Sequence, residues 1–368
     1  MDPAPQRGPG AAADTRPGPA AAEDHAAVRR RHRWRQAVIV TIAIAAITSG
    51  IILGRHTLAA SLSELTELDW TWFGVAICCE AVSLTAFGLS RRRLLRADGH
   101  QARFGTVMAV TYASNALSMT IPFAGAELAV VFSYREFRRR GLGQAITSWA
   151  LAVSAIMSTS ALAVVLVAGA IAGGQSVASV AGLAGAVFFL LPAAAVLLAL
   201  RYRQVRAGLN RFLTFLIGVS RRLFHWPGEG AARSLEDVLE RIAKIRMPPR
   251  DYAEVFGLAL LNWLGDCACL ACAIKATGQP VPWHGLLLAY AAGAAVGSTG
   301  LTPGGFLLVE TTLTAALVAT GMGTAAALAA VLAYRLISFW MILIGGWTTM
   351  IFLTRAKPPQ SGALPPRI

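Results

Sequence analysis

The chain has 368 residues, 55% of them hydrophobic and only 14% charged, with a mean hydropathy of +0.56. Soluble domains carry close to twice that charged fraction, so composition excludes a soluble globular protein and points to an integral membrane protein. The net charge of +14 does not indicate nucleic acid. The arginines cluster beside apolar spans, as the positive-inside rule produces, and anionic lipid is the expected counter-charge.

Residues 1–36 are read as a disordered, basic cytoplasmic tail: Ala, Pro and Gly dominate the start without apolar period, and Arg29-Arg30-Arg31-His32-Arg33-Trp34-Arg35 closes it. The apolar span at about 37–54 lies too far from the start and is too long for a cleavable signal, so it is a membrane anchor. Span two, about 71–90, runs into Arg91-Arg92-Arg93. Residues 104–134 are an interrupted segment broken at Pro122 and Gly125, with Asn115 before the break and Glu127 after it, and ending in Arg135, Arg138, Arg139 and Arg140. Spans three and four follow at about 145–172 and 177–200 and complete a first membrane half over 37–200. In residues 201–250, Leu209, Phe212, Leu216, Leu235, Val238, Leu239 and Ile242 recur at helical spacing among arginines, which predicts an amphipathic cytoplasmic linker.

The second half covers 251–354, with span five at about 253–277 and span six at about 323–353, before a cytoplasmic tail at 355–368. Between those spans lies a second interrupted segment, 285–322. Its break, Thr302-Pro303-Gly304-Gly305, removes helical hydrogen bonds, and hydrocarbon tolerates such a break only where protein or a water-filled cavity satisfies the backbone. Charge placement then fixes the topology. If both interrupted segments return to the face they entered, every basic cluster lies on one side of the membrane. The expectation is an all-α membrane protein of six full spans plus two re-entrant hairpins entering from opposite faces, an inverted repeat, with both termini cytoplasmic. Paired interruptions of this kind point to a transport site.

Ionisable groups deep in spans are costly and default to functional candidates. They are Glu80, Glu127, Asp266, Glu310 and Arg335, and Arg335 with Glu310 is the first pairing expected. The pair either fixes helix packing as a buried salt bridge or meets substrate, Arg335 a phosphate and the acids a cationic group or protons. Glu80 reads as structural, since only Ser83 accompanies it on its face, whereas Asp266 shares a polar stripe with Asn262. Cys267, Cys269 and Cys272 lack a nearby fourth ligand and read as packing residues. No phosphate-binding loop, metal-ligating histidine set or Ser/His/Asp set is recognisable, so no cofactor and no catalysis are expected.

Thr302-Pro303-Gly304-Gly305, Glu310, Gly321, an Ala-rich run and Tyr334-Arg335 resemble the carboxy-terminal signature of the lysylphosphatidylglycerol synthase transmembrane (flippase-like) family. Asn115, Pro122, Glu127 and Gly141 are similar to its amino-terminal signature, although Ala129-Val130-Val131 stands where the family tends to have a basic residue. The resemblance implies movement of a modified phospholipid, aminoacyl-phosphatidylglycerol or a glycolipid, between leaflets of the bacterial cytoplasmic membrane. It also implies a stand-alone transport half without the aminoacyl-transferase domain, and substrate contacts at Glu310, Arg335, Tyr334, Pro303, Gly304, Gly305, Glu127, Asn115 and Asp266. Membrane lipids are the expected partners, with a homo-oligomer or a separate synthase as further ones. The competing readings are an intramembrane lipid-modifying transferase, a membrane anchor for a separate synthase, and a small-solute secondary transporter.

Overall fold

The computed structural model describes residues 68–97, 99, 102–173 and 247–355. The tail at 1–36, the spans expected at 37–54 and 177–200, most of the linker and residues 356–368 lie outside the described residues. Within them every regular element is helical.

The first helix, α1 (Trp70–Leu95), starts where the Asp69 side chain accepts from the backbone N–H groups of Thr71 and Trp72, satisfying two donors that a helix start leaves orphaned. It lies antiparallel to α5 (Pro249–Ala276). At one end the Asp69 N–H donates to the Ala276 carbonyl at 2.8 Å; at the other, Arg93 pairs with Asp251 at 2.7 Å and Glu254 at 3.1 Å. Midway, the Ser83 hydroxyl donates to the Asn262 carbonyl at 2.8 Å, and a Cβ on Gly265 would lie 3.1 Å from Ser83 Cβ. Small residues thus let the two helices approach as membrane helices do.

Among the described residues, four continuous helical stretches are long and apolar enough to cross a bilayer: α1, α4 (Gln144–Ala172), α5, and the run Thr324–Arg355. That run consists of α8 (Thr324–Arg335), a π turn (Leu336–Met341) and α9 (Ile342–Arg355). These agree with spans two, three, five and six.

The interrupted segments are two pairs of short helices. Phe104–Thr120 (α2) is followed by Gly125–Arg139 (α3), and Trp283–Gly297 (α6) by Leu308–Ala319 (α7). The 12 residues of α7 rise only about 18 Å, well short of a hydrocarbon core of about 30 Å. Both breaks have the same local cause. Ile121 precedes Pro122 and Thr302 precedes Pro303, and both are extended (φ −106° and −121°) because a following proline disfavours helical backbone. Both breaks then carry a bulky residue in left-handed backbone, Phe123 at φ 59° and Leu307 at φ 68°. Each such residue costs about 1–2 kcal/mol, so the surrounding packing must hold it.

Two apolar clusters mark the ends of the bundle. One joins Leu94 and Leu95 of α1, Val107 of α2, Phe137 of α3, Ile146 and Trp149 of α4 and Val255 of α5, with Leu353 of α9 against it. The start of α2 and the end of α3 therefore lie at the same end, as do Arg91–Arg93, Arg138–Arg140 and Arg355. The other cluster joins Phe73 of α1, Ile274 of α5, Leu286 of α6 and Leu317 of α7. There a Cβ on Gly285 would lie 2.2 Å from the Thr320 methyl, so the start of α6 meets the end of α7. The two helix pairs start from opposite ends of the α1–α5 seam, and their tips touch: the Phe123 N–H donates to the Gly300 carbonyl at 2.8 Å. Helix α3 continues to Arg139, five residues beyond the end expected at 134, because its buried Phe137 joins the basic-end cluster.

Candidate functional site

A cavity of about 470 Å³ lies where the two tips meet, walled by the turn between α2 and α3, by α5, α6 and α8, and by the break at Ser298–Gly304. Its charged lining residues are Glu127, Asp266 and Arg335.

Asp266 projects from α5 one turn after Asn262. Its two carboxylate oxygens accept hydrogen bonds from two phenols, Oδ2 from Tyr290 of α6 and Oδ1 from Tyr334 of α8, each at 2.8 Å. Both tyrosine rings are buried, and both line the cavity. Three helices are thereby tied to one carboxylate. The sequence does not reveal either tyrosine as its partner, because 24 and 68 residues separate them from Asp266.

Arg335 ends α8 and is held on three sides. Its Nε donates to Glu310 Oε1 at 2.6 Å, its Nη2 donates to the Gly304 carbonyl at 2.8 Å, and its guanidinium lies 4.6 Å from the Phe339 ring centroid. The ion pair expected from the sequence is present, and it is buried, with side chains 9% and 14% exposed. Glu310 sits in the first turn of α7, where the helix dipole favours an anion. Gly304 makes this arrangement possible. Its φ is +55°, and a Cβ there would lie 2.1 Å from Phe339 Cε2, so only glycine brings that carbonyl to Arg335 with the Phe339 ring in place. The π turn begins directly after Arg335 and carries Phe339; such turns are rare and occur preferentially at functional sites.

The nine residues read from the sequence as substrate contacts divide by position. Asp266, Tyr334, Arg335, Gly304 and Glu127 line the cavity. Glu127, in the first turn of α3, is exposed and forms no ion pair among the described residues. Glu310 stands behind Arg335, and Pro303 and Gly305 shape the break; none of the three lines the cavity. Asn115 lies half-buried on α2, outside the cavity wall. Glu80, read as structural, is buried on α1 and faces Asp266 across the seam. Cys267 and Cys269 are free thiols buried in the apolar core.

Residues 38–346, which include every residue of this site, match the lysylphosphatidylglycerol synthase TM region. The chain belongs to that family. No curated protein matches it. Family membership and the four long apolar helices make it a multi-pass membrane protein of a family connected with lipid handling. Gly304, Glu310 and Arg335, which carry the resemblance in the sequence, are brought together in one arrangement that clamps the arginine at the cavity wall.

Proposed function

We propose that this member of the lysylphosphatidylglycerol synthase TM region family moves a phospholipid or lipid-linked compound, such as an aminoacyl-phosphatidylglycerol or a glycolipid, between leaflets of a bacterial cytoplasmic membrane. The observation that carries the reading is the meeting of two broken helix pairs, from opposite ends of the bundle, beside a cavity that offers an arginine and a carboxylate. In this reading the pairs are re-entrant hairpins related as an inverted repeat, a common construction of membrane transporters. The basic end of the bundle faces the cytoplasm. Arg335 has Nε and Nη2 engaged by protein, and Nη1 meets the lipid phosphate. Asp266 meets a cationic part of the headgroup, with Tyr334 between the two charged residues in the wall. Glu310 and Gly304 position the arginine, and Glu127 stands at the mouth. The acyl chains remain in the bilayer, against exposed apolar side chains such as Phe123 and Leu301.

The test is a leaflet-exposure assay in proteoliposomes with labelled lysyl-phosphatidylglycerol, phosphatidylglycerol and a glycolipid. Wild-type protein is expected to expose at least one of them faster than protein-free vesicles. Arg335→Lys and Asp266→Asn, checked for folding by size-exclusion chromatography, are expected to lose that activity. Unchanged movement by both folded variants would refute the assignment of the cavity. Chemical alteration of a lipid without change of leaflet would favour the transferase reading instead.

A further inference from the structure

Glu80 is a buried ionisable group that the lipid-moving reading leaves unused, and, unlike the equally buried Glu136, it forms no ion pair among the described residues. The register of the α1–α5 seam fixes its position. Ser83 bonds to Asn262 at 2.8 Å, so one turn back along α1 and one turn on along antiparallel α5, Glu80 stands opposite Asp266. Glu80 is 6% exposed, and its Oε2 is buried without a hydrogen-bond partner. The other groups facing it are Cys269 of α5, Tyr112 of α2 and Tyr334 of α8. Asp266 also faces Tyr290 of α6, Cys267 and Cys269 of its own helix and, at longer range, Arg335. Arg335 is already bound to Glu310. Among the described residues, no cation forms an ion pair with either acid of the Glu80–Asp266 couple.

Two facing carboxylates in a low-dielectric interior cannot both carry charge without strong repulsion, and one shared proton removes it. A bare metal ion fits poorly. Hard cations take about six or more oxygen ligands, and the two phenols turn hydrogens, not lone pairs, toward Asp266. Among the described residues, no group of three or more His, Cys, Asp or Glu is placed to hold a metal. Of the two acids only Asp266 lines the cavity, so a cation arriving from the cavity meets Asp266 with Glu80 behind it.

We propose that Glu80 and Asp266 hold one proton between them, and that this proton leaves when a cationic group of the lipid binds Asp266, coupling lipid movement to proton movement in the opposite sense. The O–H bond of the shared proton breaks, and the proton passes to water in the cavity. One cation replaces another, so the net charge of the site is unchanged. The coupling rests on the lipid-moving reading; the shared proton does not.

Two measurements separate them. Infrared spectroscopy of purified wild-type protein at neutral pH is expected to show a protonated-carboxyl stretch that shifts in D2O and is missing in Glu80→Gln. In proteoliposomes clamped at zero potential with potassium and valinomycin, a pH gradient of one unit is expected to drive labelled lysyl-phosphatidylglycerol to a leaflet ratio of about tenfold, the equilibrium value for one-to-one exchange. Glu80→Gln is expected to leave that ratio near one. Absence of the carboxyl band in wild type overturns the shared proton. Lipid movement that ignores the gradient overturns the coupling. An intact band with no lipid movement under any condition supports the proton site and overturns the lipid-moving reading.

Discussion

Replacing Arg335 with methionine isolates the energetics of the clamp. The arginine and Glu310 side chains are 9% and 14% exposed, so water screens the pair very little. Methionine keeps most of the volume and removes the charge. It leaves the Glu310 carboxylate, whose Oε2 already lacks a partner, without the Nε donor. It also frees the Gly304 carbonyl and removes the cation from the Phe339 ring. Breaking a buried pair from one side costs about 3–5 kcal/mol, because the remaining charge stays buried, whereas exchanging both partners for apolar residues is often close to neutral. Arg335→Met is therefore expected to lose about 3–5 kcal/mol, and Glu310→Leu combined with Arg335→Met is expected to regain most of it. The assay is reversible unfolding by SDS in mixed micelles, followed by the fluorescence of the nine tryptophans. A loss below about 1 kcal/mol for the single variant, the range of exposed surface pairs, would contradict a buried, unscreened pair. So would a double variant as unstable as the single one.

Other variants test the backbone of the site and the packing around it. Gly304→Ala places a Cβ 2.1 Å from Phe339 in left-handed backbone. It should cost at least about 1–2 kcal/mol from the backbone alone, and Phe339→Ala in the same chain should relieve the clash but not the backbone cost; full recovery by the double variant would contradict this. The neighbours Gly345 and Gly346 form a matched pair. A Cβ on Gly346 would lie 2.4 Å from the Tyr112 carbonyl of α2, and one on Gly345 meets nothing within 4 Å. In the same unfolding assay Gly346→Ala should cost about 1–3 kcal/mol, while Gly345→Ala should be neutral or slightly stabilising; equal effects would show that α9 does not pack on α2 as described.

Much of this architecture was legible because its causes are local. A proline sets the residue before it to extended backbone, so both breaks could be placed from Pro122 and Pro303 alone, and uninterrupted apolar length gave the four long helices. The Arg335–Glu310 pair was legible for a different reason: one deep cation among several deep acids leaves few arrangements. What sequence could not supply was registry between helices distant in the chain. Glu80 looked isolated on α1 because its neighbour, Asp266, comes from α5, and that proximity follows from the close approach at Ser83 and Gly265. The phenols on Asp266 were missed in the same way. Glu310 shares a motif with the cavity wall but lies behind it, because Arg335 reaches across to the start of α7. The π turn has no signal in Leu336–Met341, since its residues differ little from an ordinary helix.

The two broken helix pairs are expected to enter the membrane from opposite faces and return to the face they entered, with their tips meeting inside. Single cysteines in a background lacking the five native ones, labelled with a membrane-impermeant maleimide from each side, test this directly. Cysteines at Arg96 and Gly143, which flank the first pair, should react from one face, and those at Gln279 and Gly323, which flank the second, from the other. If positions 96 and 143 react from opposite faces, the first pair crosses the membrane and is not a re-entrant hairpin.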